Sequence, residues 1–184
     1  MTLRVNLGEL SLNCQLDGPD GADWIVLSNS LGANLSMWDD QIALLTARYR
    51  VLRYDTRGHG DSDTPPGPYS FADLTGDVLC LLDHFGIQQA AFMGLSMGGM
   101  TGLGLAIHHS DRVSRVVCAD ARADAPEPFR AMWDQRIGKV QTGGLEAIVD
   151  GTLASWLTEA WRDANPDRVA AIRAMVLDND PEGY

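Results

Sequence analysis

The chain has 184 residues, the usual size of a single domain, and 45% of them are hydrophobic, which is enough to build a substantial core. Its formal net charge of −11 argues against nucleic acid and anionic membrane surfaces as partners, because both repel an acidic protein. The three cysteines, Cys14, Cys80 and Cys118, have no metal-binding or disulfide spacing and are expected in the core. With no predicted signal peptide or membrane span, we expect a cytoplasmic protein that binds no metal and no cofactor.

Hydrophobic patterning predicts alternating strands and helices up to residue 119. Short apolar or alternating runs bounded by turns predict strands at 10–16, 24–27, 49–54, 90–93 and 113–119. Helices are expected between them, at 37–47, 71–85 and 98–109. The second helix begins with a capping box formed by Ser70 and Asp73 and ends before Gly86. This alternation predicts an α/β fold with a mostly parallel, doubly wound sheet, whose ligands bind beyond the carboxyl ends of the strands.

The segment after Asp120 changes character, because two prolines interrupt the alternation and no further strand is predicted. Four helices are expected there, at 129–140, 145–153, 155–162 and 166–177. Asn165 and Pro166 supply an N-cap and a first-turn proline for the last of them. We therefore interpret residues 1–121 as a core and residues 122–184 as a helical cap over the strand ends.

The segment Gly94-Leu95-Ser96-Met97-Gly98 has the pattern Gly-x-Ser-x-Gly and lies between a predicted strand and a predicted helix. This context is typical of a nucleophile elbow, in which a sharp turn presents the serine hydroxyl beside a helix N-terminus that favours negative charge. In a chain with 19 glycines, the competing interpretation is an incidental serine in a glycine-rich turn. The order of strand, turn and helix favours Ser96 as a nucleophile.

Three motifs together resemble the α/β-hydrolases: the Ser96 segment, Asp55-Thr-Arg-Gly-His-Gly60, and Ser28-Asn-Ser-Leu-Gly32 after a buried strand. Within that family, the pair Asn29-Ser30 and the segment Met37-Trp-Asp39 are similar to the 3-oxoadipate enol-lactonases. Most relatives carry His-Gly at the positions of that pair. The resemblance implies the α/β-hydrolase fold and a serine hydrolase of aromatic catabolism that opens a small carboxylated enol-lactone.

The resemblance also implies an acyl-enzyme mechanism with two oxyanion donors. Ser96 would attack the acyl carbonyl, and the resulting oxyanion would bind two backbone amides. In this chain they are expected to belong to Met97 and to Leu31, for which the competing interpretation is a buried loop leucine. No cofactor is expected, because the sequence has no cluster of ligand residues, and the expected partner is a small-molecule ester or lactone.

An anionic lactone requires a cation and an apolar wall near the nucleophile. Arg122 follows the strand that ends at residue 119, and Trp133 and Arg136 lie three residues apart on one face of the first cap helix. We expect these three residues to bind the substrate. The competing interpretation is a pair of surface arginines and a tryptophan buried within the cap.

The family order places an acid and then a histidine after the nucleophile. None of the four histidines is a credible base: His59 lies in a structural loop, and the others lie at or near helix ends (His84, His108 and His109). Asp120 is an alternative candidate for the acid, against a structural strand-end carboxylate. We therefore expect the N-terminal part of a longer hydrolase, ending inside the cap before the strands with the acid and the histidine. The unpaired sheet edge would favour association with a C-terminal fragment or with further copies of the chain.

Two other functions stay open at this point. One is a carboxylesterase, or another α/β-hydrolase activity on a small ester, because the fold does not select among these reactions. The other is an inactive fragment or a non-catalytic binding module, because no base is found for Ser96.

Overall fold

The computed structural model describes residues 2–184 and contains one six-stranded sheet. In chain order its strands are β1 (Thr2–Asn6), β2 (Ser11–Asp17), β3 (Asp23–Ser28), β4 (Tyr49–Tyr54), β5 (Ala90–Leu95) and β6 (Val113–Ala119). Their order across the sheet is β1-β2-β4-β3-β5-β6. β1 and β2 are antiparallel to their neighbours, and the pairs from β4 to β6 are parallel. The predicted α/β fold with a mostly parallel sheet is thereby confirmed.

Helices cover both faces of the sheet, as a doubly wound fold requires. A 3-10 turn (Leu35–Trp38) leads into α1 (Asp39–Leu45), which packs with β3 and β4 on one face. The other face is covered by α2 (Phe71–His84) and α3 (Met97–His108). The predicted capping box is present at the start of α2, where the Ser70 hydroxyl accepts from the amide of Asp73 and the Asp73 carboxylate accepts from the amide of Ser70.

Two predictions about the core were incomplete or wrong. β1 was not predicted, although Leu3 and Val5 alternate with polar residues over a run of five, which is long enough for a strand. Of the three cysteines, only Cys14 is buried. Cys80 is exposed because it lies on α2 away from the apolar residues that face the sheet, and Cys118 is exposed because it lies on β6, at the sheet edge.

Four further helices follow β6: α4 (Glu127–Gly143), α5 (Glu146–Trp156), α6 (Glu159–Ala164) and α7 (Pro166–Leu177). They have small apolar clusters of their own, in which α5 packs with α4 and α7. Ser155 belongs to α5 and not, as predicted, to the next helix. Asn165 precedes α7, but its side-chain amide donates to the carbonyl of Trp161 at 2.8 Å instead of capping α7. The division into a core and a cap at residue 121 stays an interpretation.

β6 forms one edge of the sheet. It pairs with β5, and its other side has no strand partner within residues 2–184. The Val117 side chain on this strand is 48% exposed. The unpaired edge is therefore formed by β6, and association with another chain at this edge stays a prediction. Among the helices of the described chain, none is both long and apolar enough to cross a bilayer.

Candidate active site

Ser96 lies in the sharp turn between β5 and α3. Its backbone has φ 52° and ψ −112°, a conformation that residues other than glycine rarely adopt and that the surroundings must hold in place. The amide of Ser96 donates to the carbonyl of Ala119 on β6 at 2.9 Å, and its carbonyl accepts from the amide of Met100 at 2.9 Å. The strained turn is therefore fixed on both sides of the serine, and the Ser96 side chain does not cap α3.

Two glycines allow the close backbone approach that this turn needs. A Cβ atom on Gly94 would lie 2.2 Å from the carbonyl carbon of Gly98. A Cβ atom on Gly98 would lie 2.2 Å from the carbonyl oxygen of Ser28 at the end of β3. Because carbonyl groups of the backbone cannot move aside as a side chain can, the pattern Gly-x-Ser-x-Gly is required here by packing.

The loop after β3 is tied to the same turn by Asn29. Its carbonyl accepts from the amide of Gly98 at 3.0 Å. The fully buried side chain donates to the carbonyl of Tyr54 at 2.8 Å and accepts from the indole of Trp38 at 2.9 Å. The two segments with the predicted oxyanion donors, the amides of Leu31 and Met97, are thus held together, while the donor role of these amides stays a prediction.

The Asp55 carboxylate anchors the loop after β3. It accepts from the amide of Leu35 at 2.6 Å, from the side-chain amide of Asn13 at 2.7 Å and from the amide of Asp61 at 3.0 Å. Burial raises the pKa of the Asp55 carboxyl above its ordinary value, although these hydrogen bonds oppose the shift. The family motif that begins at Asp55 therefore organises loops around the site.

His59 is buried in the same motif and does not contribute to the cavity that Ser96 lines. Its Nδ1 lies 3.1 Å from the carbonyl oxygen of Arg57. Burial lowers the pKa of the ring, so His59 is neutral at pH 7. His84 and His108 end α2 and α3, and His109 follows α3. At about 1.5 Å per residue, α3 places His108 on the order of 16 Å from its start.

A cavity of about 1510 Å³ lies between the carboxyl ends of the strands and the helices that follow β6. Every predicted site residue lines it: Ser96, Leu31, Met97, Asp120, Arg122, Trp133 and Arg136. None of the four histidines does. Asp120, the candidate acid, has φ 43° and is exposed. It lines the cavity, and no histidine lines the cavity with it. Within residues 2–184, no group of acidic, histidine or cysteine side chains is arranged to hold a metal ion.

Three arginines line this cavity, and their charge partners differ. Arg168 pairs with Asp40, and Arg122 lies 3.6 Å from the carboxylate of Asp124. Arg136 forms no ion pair with any carboxylate of residues 2–184. It donates instead to two neutral hydroxyl groups, those of Tyr184 at 2.6 Å and Thr152.

Aromatic side chains lie against two of these cations. Arg136 lies 5.5 Å from the centre of the Trp133 ring, and Arg122 lies 4.8 Å from that of Phe129. Such stacking stabilises a guanidinium without neutralising its charge. Arg136 therefore remains the cavity cation that is most available to an anion.

Two residues that contact the loop of Leu31 were not predicted from the sequence, and of the two only Tyr184 lines the cavity. Asn179 is buried, accepts from the amide of Gly60 at 3.0 Å and donates to the carbonyl of Gly32 at 3.0 Å. Tyr184 places its ring against Gly32 and its hydroxyl on Arg136. The only sequence signal was a single aromatic residue and an asparagine in a turn-forming segment, and neither indicates a distant partner.

A family model described as the alpha/beta hydrolase fold matches residues 23–155. Among curated proteins, 3-oxoadipate enol-lactonase 2 of Acinetobacter baylyi is 40% identical, with 96% of this chain and 65% of that protein covered. 3-Oxoadipate enol-lactonase 1 of the same organism is 36% identical, with 95% of this chain and 64% of that protein covered. The chain thus spans about 65% of the length of these relatives.

Solved structures agree with this match. The enol-lactonase from Burkholderia xenovorans LB400 superposes with a TM-score of 0.91 at 46% identity, over 95% of this chain and 67% of that one. A hydrolase from Pseudomonas aeruginosa PA01 gives a TM-score of 0.91 at 40% identity, over 100% of this chain and 68% of that one. With the strained serine turn, the parallel sheet and the cavity at its carboxyl edge, these matches establish that the chain belongs to the alpha/beta hydrolase fold family.

Proposed function

We propose that the protein is a serine hydrolase that opens a small carboxylated enol-lactone, of the 3-oxoadipate enol-lactone type, through an acyl-enzyme on Ser96. The observation on which this depends is that Ser96 and Arg136 line one cavity. Arg136 has no carboxylate partner among the described residues and is therefore suited to an anionic substrate. The similarity to two 3-oxoadipate enol-lactonases supports the same substrate class.

The chemistry assigns a separate task to each part of the site. The Ser96 oxygen bonds to the lactone carbonyl carbon while its proton passes to a base, and the amides of Leu31 and Met97 bind the oxyanion. The ring C–O bond then breaks, and the ring oxygen leaves as an enolate, which takes the proton back from the base and becomes an enol. Water attacks the acyl-enzyme, and the acid is released as the Ser96 hydroxyl re-forms.

Residues 2–184 supply no histidine as a base to the cavity, although Asp120 lines it as a candidate for the acid. None of the four histidines lines it. We propose that both groups come from a segment or partner other than these residues, with Asp120 as the alternative acid. Arg122 and Trp133 would complete the carboxylate-binding wall together with Arg136.

A carboxylesterase is the second candidate. Much of the cavity wall is apolar, with Met100, Leu103, Ile107, Phe129 and Met132 among the lining residues. Such a wall suits a neutral acyl or alkoxy group. A thermophilic esterase from Thermogutta terrifontis superposes with a TM-score of 0.89 at 25% identity over 69% of its length.

The nucleophile can be tested by intact mass spectrometry after treatment with a fluorophosphonate. We expect one adduct on the wild type when the segment or partner that supplies the base is present, and none on Ser96→Ala under the same conditions. Ser155→Ala is the matched control, because Ser155 lines the same cavity on α5. An adduct that persists in Ser96→Ala would contradict the proposal, and a wild type that stays unmodified with that segment or partner present would indicate a non-catalytic module.

The substrate class can be tested by comparing hydrolysis of the free-acid enol-lactone with that of its methyl ester. We expect the free acid to have a kcat/KM about tenfold or more above the ester, since a charged hydrogen-bonded pair contributes about 1.5–3 kcal/mol. Arg136→Gln should remove this preference. Equal rates on both substrates would favour the carboxylesterase.

A further inference from the structure

We propose that Tyr184 is a specificity-determining residue of this cavity, whose hydroxyl donates a hydrogen bond to the carboxylate of a ligand held by Arg136. This inference rests on the proposed function, because it concerns the anionic part of the same substrate. It adds a hydroxyl donor to a cavity wall in which the sequence indicated only Arg122, Trp133 and Arg136.

The direction of the Arg136–Tyr184 hydrogen bond leaves the phenolic proton free for a ligand. The Nε atom of Arg136 lies 2.6 Å from the Tyr184 hydroxyl oxygen. A guanidinium can only donate, so the phenolic oxygen is the acceptor in this contact. The hydroxyl proton must therefore point away from Arg136, and Tyr184 lines the cavity that also contains Ser96.

The phenol ring is held in place by the loop that bears the predicted oxyanion donor. A Cβ atom on Gly32 would lie 3.2 Å from Cε2 of the Tyr184 ring, so the ring rests on the Gly32 backbone. Gly183 packs against Gly58 so closely that a Cβ atom on it would lie 2.3 Å from the Gly58 carbonyl oxygen. The Tyr184 amide donates to the carbonyl of Asp180 at 2.9 Å. A donor fixed in this way loses little conformational entropy when a ligand binds.

The surrounding charges select a carboxylate over a neutral group. The Arg136 guanidinium lies 5.8 Å from the centre of the Tyr184 ring and has no acidic partner within the described chain. Burial raises the pKa of the Tyr184 phenol, which keeps it protonated as a donor at neutral pH. One cation and one hydroxyl donor side by side match the two oxygens of a carboxylate.

The test is an NMR titration of the 184-residue chain with adipate and with dimethyl adipate as probes. Tyr184→Phe removes the donor and keeps the ring that packs on Gly32. We expect about a tenfold weaker affinity for adipate, as the loss of one hydrogen bond to a charged group implies, and an unchanged affinity for dimethyl adipate. Tyr69→Phe is the matched control, because Tyr69 donates to the carbonyl of Pro65 and does not line the cavity.

The outcomes separate this inference from the proposed function. A wild type that does not bind adipate, or a Tyr184→Phe variant that binds it unchanged, would overturn the inference. An equal loss for both probes would also overturn it, since that indicates altered packing. Fluorophosphonate labelling of Ser96, with the segment or partner that supplies the base present, does not need the phenol, so Tyr184→Phe should be labelled as the wild type is. If neither protein is labelled under these conditions, that result counts against the proposed function alone.

Discussion

The side chain of Asn179 joins the end of α7 to the loop that bears Leu31. Its Nδ2 donates to the carbonyl of Gly32 at 3.0 Å, and the same nitrogen lies 2.9 Å from the carbonyl oxygen of Met175. Its Oδ1 accepts from the amide of Gly60 at 3.0 Å. One buried amide thus satisfies backbone groups of a helix and two loops, so the position of α7 and the shape of the site are coupled.

Replacement of this amide by an apolar group of similar size should be costly. In Asn179→Leu, the amide of Gly60 and the carbonyl of Gly32 lose their partner, and we expect the free energy of unfolding to fall by about 2–4 kcal/mol. Asn165→Ala is the control, because Asn165 makes one side-chain hydrogen bond, to Trp161, and should cost about 1 kcal/mol. Urea denaturation measures the free energy of unfolding of both variants, and equal losses of that free energy would refute the role given to Asn179.

The contrast between Ser96 and Asn179 explains what the sequence could predict. The serine turn, the strand at 49–54 and the strand at 113–119 depend on neighbours in sequence, and the structure places all three where they were predicted. Asn179 and Tyr184 contact Gly32 across about 150 positions, and no local pattern encodes such a contact. The exposure of Cys118 was missed for the same reason, because local apolarity does not show whether a strand lies at the edge of a sheet.

A side chain at Gly98 should destabilise the fold, whereas a side chain at Gly151, another helical glycine, should stabilise it. In Gly98→Ala the new Cβ atom would lie 2.2 Å from the Ser28 carbonyl oxygen, and we expect the free energy of unfolding to fall by about 3 kcal/mol. Gly151, inside α5, has nothing within 4 Å of an added Cβ atom. Gly151→Ala should raise the free energy of unfolding by about 0.5–1 kcal/mol. Thermal unfolding of both variants tests this, and a stable Gly98→Ala variant would contradict the geometry of the turn.

The ion pair between Arg57 and Asp77 should matter far more than the surface pairs. Arg57 donates from Nε at 2.7 Å and from Nη2 at 2.6 Å to the two oxygens of Asp77, whose side chain is 7% exposed. Asp77→Ala leaves the guanidinium without its buried partner, and we expect a loss of about 3–5 kcal/mol in the free energy of unfolding.

The pair between Glu127 and Arg130 supplies the comparison. Both side chains are mostly exposed, and the residues lie three apart at the start of α4. Glu127→Ala should change the free energy of unfolding by no more than about 0.5 kcal/mol. Similar losses in the two variants, measured by urea denaturation, would show that burial does not set the strength of these pairs.

His59 should make stability depend on pH. Burial lowers the pKa of His59 below its ordinary value of 6.5, so the unfolded chain takes up a proton at a higher pH than the folded chain. The contribution of neutral His59 to the free energy of unfolding is therefore fully present above pH 6.5. This contribution is lost as the pH falls toward the pKa of the folded state, by at most about 1.4 kcal/mol per pH unit. Urea denaturation between pH 7.5 and about 5 should show this decline in the wild type. His59→Gln should flatten it, while His84→Gln, at an exposed position, should not; a slope that survives in His59→Gln would assign the proton uptake to another group.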